Sequence, residues 1–409
     1  MFDYFREYFD YKVFFVSLAL VAFGLVSIYS ATYDAGASAI FHKQVNWSII
    51  GTVVLLAAAL FPYKLLQRLA MPAYALSLAA LFSVLLVGKV TSGSKSWFGI
   101  GAFGSQLGVQ PSEFAKVATV LALAAFLSKT TVSISNTKHL LGTLFLVFIP
   151  MFLVLAEPDL GTAVIFFAMT IPVLYWVGAS HFIIAAIFAP ILVGAGALFG
   201  TTVFLFSILM AAALLYFTHE NRFAAGVVFG LTLAFGLSVQ TVYDRMAPYQ
   251  QKRIATFLNP ESDPLGAGYN VMQSKVAIGS GGILGKGYLK GSQTQLNFIP
   301  EQWTDFIFCV PGEEFGFVGA SVILLFFGFL LFHCVNVASI SKNKFGSVAA
   351  VGFVGIFTAH ILINVGMSVG LLPVIGVPLP FLSYGGSALI ANMMTVGLLM
   401  NVYANRKEH

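Results

Sequence analysis

The chain has 409 residues, of which 58% are hydrophobic and only 9% charged, and its mean hydropathy is +0.90. A soluble domain is about 25% charged. This composition therefore excludes a soluble globular enzyme, a disordered chain and a disulfide scaffold, and points to an integral membrane protein of many spans. The net charge of +5 is scattered between apolar runs, as in residues that set topology rather than a nucleic-acid surface.

Taken in chain order, apolar runs predict twelve spans: 13–31, 46–62, 70–88, 112–127, 139–156, 161–178, 182–199, 202–217, 223–241, 309–332, 347–370 and 385–402. They are read as helices, because no strand-like alternation marks a barrel and backbone in lipid must be satisfied within each segment. The expected fold is thus all-α and polytopic, a single membrane domain over 1–409. The run after Lys12 loosely imitates a signal peptide. Asp3, Glu7 and Asp10 before it, and its length, favour a first span. Cys309 and Cys334 lie near opposite ends of one predicted span, too far apart for a disulfide.

Orientation follows from Lys and Arg. With the N-terminus in the cytoplasm, 11 of them fall on the inner side and 3 on short outer loops. Both termini are therefore expected in the cytoplasm. The outer segments are then 89–112, 157–160, 371–384 and a large loop over 242–308. The two halves do not resemble each other and no fixed repeat occurs, which weakens a major-facilitator reading.

Eleven of the 16 acids lie outside or at outer helix ends. Ionisable groups there are costly, so they invite functional hypotheses. Asp34, Asp244, Glu261 and Asp263 read as solvated loop acids. Glu113 and Lys116, three apart at a helix start, share a face and can pair. The pair either anchors the helix end or serves function, and Lys116 could meet an anionic lipid head group. In Glu157-Pro158-Asp159-Leu160-Gly161-Thr162, Asp159 could cap the next helix, which leaves Glu157 without an assigned partner. The stretch Gly279 to Gly287 lacks the spacing of either nucleotide-binding glycine motif. It reads as a flexible outer loop with cations at Lys275, Lys286 and Lys290. Asp305 sits where a water-facing segment gives way to Phe306-Ile307-Phe308. Partial desolvation there would raise a carboxylate toward the range of a general base. Composition leaves catalysis and helix capping both open.

At these residues the chain resembles the SEDS family (shape, elongation, division and sporulation proteins). The matching stretches are Gln110 to Lys116, Glu157 to Thr162, Arg253-Ile254, Asn259 to Gln273, Ala277 to Gly287, Gln293 to Glu314 and Gly370 to Ser387. Asp263 to Asn270 and Gly291-Ser292-Gln293 favour its rod-shape branch over its division branch. The resemblance implies a peptidoglycan glycosyltransferase of the cytoplasmic membrane, its site facing outward. It takes lipid II and releases undecaprenyl pyrophosphate. The implied partners are a class B penicillin-binding protein transpeptidase and other rod-complex proteins. The family's essential aspartate matches Asp305, and its outer-loop tryptophan matches Trp97. Glu113, Lys116 and Glu157 match polar positions of the family's cavity. Arg253, Lys275 and Glu301 join them as substrate-binding candidates. Family members commonly have ten spans, so 182–241 implies an extra pair of helices, which leaves Asp305 outside.

The expected chemistry is an inverting displacement with Asp305 as base. Lys116, Arg253 or Lys275 would neutralise the leaving pyrophosphate. The outer acids could hold Mg²⁺ with several waters, though no ligand spacing marks a site. The alternatives are a flippase for lipid-linked precursors and a non-catalytic scaffold.

Overall fold

The computed structural model describes residues 8–33, 38–91, 94–100, 107–219, 221–246, 248–258, 267–296, 298–300 and 302–408. The chain is a mostly helical, polytopic membrane protein. Eleven of the twelve apolar runs each coincide with one helix, and the run 309–332 is divided between two. The first three are α1 (Tyr11–Tyr33), α2 (Ser38–Ala59) and α3 (Tyr63–Val87). Three strands follow: β1 (Lys89–Thr91), β2 (Ser94–Ile100) and β3 (Leu107–Val109). Next come α4 (Pro111–Leu127), α5 (Thr137–Ala156), α6 (Leu160–Trp176), α7 (His181–Leu198), α8 (Thr201–Thr218) and α9 (Arg222–Arg245). The segment after α9 holds α10 (Pro248–Leu258), α11 (Ala267–Ser280) and the single turn α12 (Ser292–Gln295). The chain ends with α13 (Cys309–Glu314), α14 (Gly316–Ile340), α15 (Lys344–Ser368) and α16 (Gly386–Ala404). Among the described residues, nine helices are long and apolar enough by themselves to cross a membrane.

Three expectations need correction. The fold is not purely helical: β1, β2 and β3 form an antiparallel sheet in that order, with Lys89 opposite Trp97 and Phe98 opposite Val109. Such short strands in a polar loop leave no apolar period to read. The stretch 242–308 is not simply a loop, because α10, α11 and α12 lie in it. The run 309–332 is not one helix. It breaks between α13 and α14, where Gly316 adopts φ +62°.

The break has a partner. The glycine stretch read as flexible is clasped onto it by four backbone hydrogen bonds. Lys286 N and Gly287 N donate to Glu313 O and Glu314 O, each at 3.0 Å. Phe317 N donates to Gly282 O at 2.9 Å and Val318 N to Ile283 O at 3.1 Å. Side chains are excluded at the crossing. A methyl on Gly281 would stand 2.1 Å from Gly312 O, and one on Gly285 2.1 Å from Glu314 O. Gly285 also adopts φ +82°, which L-residues with a Cβ rarely take. The buried Glu313 carboxylate fastens the clasp. It accepts from Lys286 Nζ at 2.8 Å, from Gln293 N and Thr294 N at 2.9 Å, and from Thr294 Oγ1 at 2.7 Å. Burial alone would raise its pKa, but these donors hold it below the ordinary carboxylate value.

The chain divides into two compact units. The first comprises 1–173 and 269–409. Within it α15 is central, with 83% of its apolar window buried, and α4 is buried along nearly all its length. Helices apolar all round belong in such positions. In lipid, close contact rather than water expulsion joins helices. Accordingly α2 meets α16 through glycine: a methyl on Gly397 would stand 2.2 Å from Leu55 O. The second unit, 174–268, holds α7 to α10. Its interior is small and aliphatic, built from Ala185, Ala189, Val193, Ala211 and Leu215. Its helix starts are capped by Ser180 and Asn221.

Candidate active site

Asp305 lies in the turn 302–308 ahead of α13, partly exposed, with Phe306, Ile307 and Phe308 buried behind it. Three consecutive carbonyls of this turn are held from elsewhere. Tyr384 N donates to Trp303 O at 2.7 Å. Ser383 Oγ donates to Thr304 O at 2.7 Å. Asn364 Nδ2 donates to Asp305 O at 2.9 Å. The preceding residue Gln302 is buried and donates to Ala31 O of α1 at 2.9 Å and to Thr294 O at 3.0 Å. The aspartate backbone is therefore fixed by α1, α15 and the segment 371–385.

That Pro- and Gly-rich segment gathers most of the candidate residues. Gly376, at φ +72°, lies under the Asp305 carboxylate: a methyl there would stand 3.5 Å from Oδ2. A methyl on Gly161, at the start of α6, would stand 2.5 Å from Ile375 O. The Glu157 turn thus packs on the same segment. Pro378 O accepts from His360 Nδ1 at 3.0 Å, and His360 Nε2 lies 2.8 Å from Lys116 Nζ. Since Nδ1 must donate to the carbonyl, Nε2 accepts from the ammonium and the imidazole is neutral. Lys116 also pairs with Glu113 at 2.9 Å, with both side chains under 5% exposed. Phe381, at φ +64°, is held between Phe327 and Phe357. A bulky residue in that region costs about 1–3 kcal/mol, tolerated where the surroundings over-determine it.

The short turn behaves as its residues suggest. Asp159 caps α6, accepting from Thr162 N at 3.0 Å, and it also accepts from Gln110 Nε2 at 3.1 Å. Glu157 is fully buried, and among the described residues neither carboxylate oxygen has a hydrogen-bond partner. Burial pushes its pKa up to about 8; the nearby Ser96 hydroxyl opposes this and the Asp159 carboxylate adds to it. Trp97 follows Ser96 on β2 and covers Gly108 of β3, where a methyl would stand 2.7 Å from its ring. Below this sheet an apolar cavity of about 610 Å³ runs between α2, α3, α4 and α16, with Phe98, Val109 and Phe114 among its walls.

The remaining candidates are more peripheral. Lys275, on α11, is exposed, and its stem lies against Gly370 beyond the end of α15. The next-door Ser274 donates to Ser368 O at 2.8 Å, which docks α11 there. Arg253 is on α10 in the second unit, and its side chain lies outside the described residues, as does Glu301. Among the described residues no group of three or more His, Cys, Asp or Glu could hold a metal ion.

The family of FtsW, RodA and SpoVE, described as "Cell cycle protein", matches residues 11–222 and 198–408. The chain belongs to this family. Its RodA-type relatives are similar over nearly their full length. "Peptidoglycan glycosyltransferase RodA" of Treponema pallidum (strain Nichols) is 33% identical, covering 97% of this chain and 98% of its own. "Peptidoglycan glycosyltransferase MrdB" of Escherichia coli (strain K12) is 33% identical, covering 98% and 95%. A solved structure, "Structural coordination of polymerization and crosslinking by a peptidoglycan synthase complex", aligns with TM-score 0.74 at 27% identity, covering 98% of this chain and 99% of that one. The crystal structure of Thermus thermophilus rod shape determining protein RodA aligns at 0.65, covering 98% of each chain; at 24% identity it speaks to fold alone. Within this SEDS fold, His360 and Asn364 lie outside the matching stretches, and Gln302 and Ser383 lie within them but had no role assigned. His360 and Asn364, one turn apart in an apolar helix, carried a signal, since polar groups at membrane depth default to functional hypotheses.

Proposed function

We propose that this chain is a peptidoglycan glycosyltransferase that polymerises lipid II for cell elongation. Asp305 accepts the proton of the acceptor sugar's 4-hydroxyl. That oxygen attacks the anomeric carbon of the donor, and undecaprenyl pyrophosphate leaves with inversion. Such a displacement needs one base and stabilisation of the leaving charge. The observation that carries this reading is the setting of Asp305. It is a partly exposed carboxylate on a turn with three fixed carbonyls, in a chain whose near-full-length relatives are named peptidoglycan glycosyltransferases.

Glu113, Lys116, Glu157 and Trp97 shape the surroundings of the base, and Lys275, Arg253 and Glu301 reach the substrate. Lys275, or a divalent cation such as Mg²⁺ carried with the substrate, takes the pyrophosphate charge. The apolar cavity beneath β2 suits the polyprenyl chain. Twelve of its helices, α1 to α9 and α14 to α16, span the cytoplasmic membrane, with both termini in the cytoplasm and Asp305 outside. The spacing supports this: Lys344 and Asn364 lie about 30 Å apart along α15, the thickness of a hydrocarbon core. Residues 182–241 are the extra helices. The partners are a class B penicillin-binding protein transpeptidase and the other rod-complex proteins.

The test supplies lipid II to detergent-solubilised protein with its transpeptidase and resolves the glycan products. Wild type should polymerise it, and Asp305→Asn should be slower by about 10²–10⁴-fold while remaining folded. Wild-type rates from Asp305→Asn would remove the base assignment. Lipid II left intact by wild type would favour a transporter of lipid-linked precursors.

A further inference from the structure

Asn364 is fully buried near the end of α15. Both hydrogens of its amide are used, one on Asp305 O at 2.9 Å and the other on Val377 O at 2.8 Å. Two carbonyl acceptors fix the orientation of the amide, so Oδ1 is its acceptor end. Among the described residues Oδ1 has no hydrogen-bond partner. A leucine would fill the place and remove this unmade acceptor, but it would strip Asp305 O and Val377 O of the donors that Asn364 supplies. What it could not do is join these two carbonyls.

The two carbonyls belong to the peptides that meet at the base. One is that of Asp305 itself. The other follows Gly376, over which the Asp305 carboxylate lies. The anchor between them is one of the most buried helices of the protein. We propose that Asn364 is a positioning residue for the reaction. It fixes the backbone of Asp305 against the peptide beneath its carboxylate, and so sets where the base stands. This rests on the reading of Asp305 as the general base. Reacting groups must be held closely, and a misplacement of about 1 Å can cost about 10²-fold in rate.

The experiment measures initial rates of lipid II polymerisation against lipid II concentration for wild type, Asn364→Leu and Asn364→Ser. Removing both donors in Asn364→Leu should lower kcat by about 10–10²-fold and leave KM within about twofold. Asn364→Ser, which keeps one hydroxyl donor, should fall between the two. A role confined to folding would lower the amount of active protein and its thermal midpoint, with kcat per folded molecule unchanged. Wild-type kcat in folded Asn364→Leu overturns the proposal, as does a loss confined to KM. If Asn364→Leu does not accumulate, wild-type kcat in Asn364→Ser has the same force. Asp305→Asn separates the two levels. Should it polymerise at the wild-type rate, the base reading itself falls. Should it be inactive while Asn364→Leu keeps its kcat, only the positioning role falls.

Discussion

The ammonium of Lys116 stands 2.8 Å from His360 Nε2 and so ties α4 to α15 at a depth where both side chains are buried. Glu113 supplies the counter-charge at 2.9 Å. His360 passes the link on to Pro378 O, in the segment that lies under Asp305. The pair is thus a structural part of the site's floor, whatever it does for substrate.

Breaking such a pair from one side strands a charge. Lys116→Met should destabilise by about 3–5 kcal/mol, because Glu113 is left buried and unpaired. The double variant Glu113→Gln/Lys116→Met should recover much of that loss. Thermal midpoints in detergent compare the three. Equal midpoints for the single and double variants would show that the buried charge is not the cause.

Glu157 and Glu313 should give opposite pH dependences. The Glu157 pKa is raised to about 8 from an ordinary 4.5, so the folded protein prefers its neutral form. Its contribution is complete below the unfolded value and is lost as pH rises toward 8. Glu157→Gln should match wild type near pH 4.5 and become increasingly more stable up to pH 8, with no further change above. A gap that narrows over this window would contradict the assignment.

The Glu313 pKa is held low by its donors despite burial. Its contribution is present above the ordinary carboxylate value and is lost as pH falls through the folded one. Glu313→Gln should therefore be less stable than wild type at neutral pH, by about 1–3 kcal/mol for the weakened charged hydrogen bonds. The difference should shrink in acid, as read from melting curves at stepped pH.

Glycine substitutions should sort by setting rather than by residue type. Gly285→Ala meets Glu314 O at φ +82° and should open the clasp, costing more than about 1–2 kcal/mol. Gly230→Ala, on α9 with nothing among the described residues within 4 Å of the new methyl, should be neutral or stabilising by up to about 1 kcal/mol. Comparable losses at the two positions would remove the steric explanation.

Much of this architecture is legible in the sequence because membrane helices advertise themselves by composition. The twelve apolar runs needed no tertiary information. The strand pairing of Trp97 with Lys89 lies in a short polar segment with no apolar period to read, and the break at Gly316 is set by the glycine stretch about 30 residues upstream. Asp305 stands out by its place before Phe306-Ile307-Phe308, and Asp159 by its turn. Asn364 carries only the general signal of a polar residue in an apolar helix, and what it and Ser383 hold does not show, because each acts on a backbone carbonyl. A carbonyl acceptor has no side-chain identity to match.

The site is also assembled late. Thr304 and the Ser383 hydroxyl that holds it are 79 residues apart, and Asp305 is 59 residues from Asn364. Gln44, which grips Ser383 O and Gly385 N from α2, is more than 330 residues upstream. During synthesis Asp305 thus emerges before Asn364, Ser383 and Tyr384, which hold the carbonyls of its turn. Only once α15 and the segment 371–385 are in place does the backbone that carries this carboxylate acquire a fixed bearing.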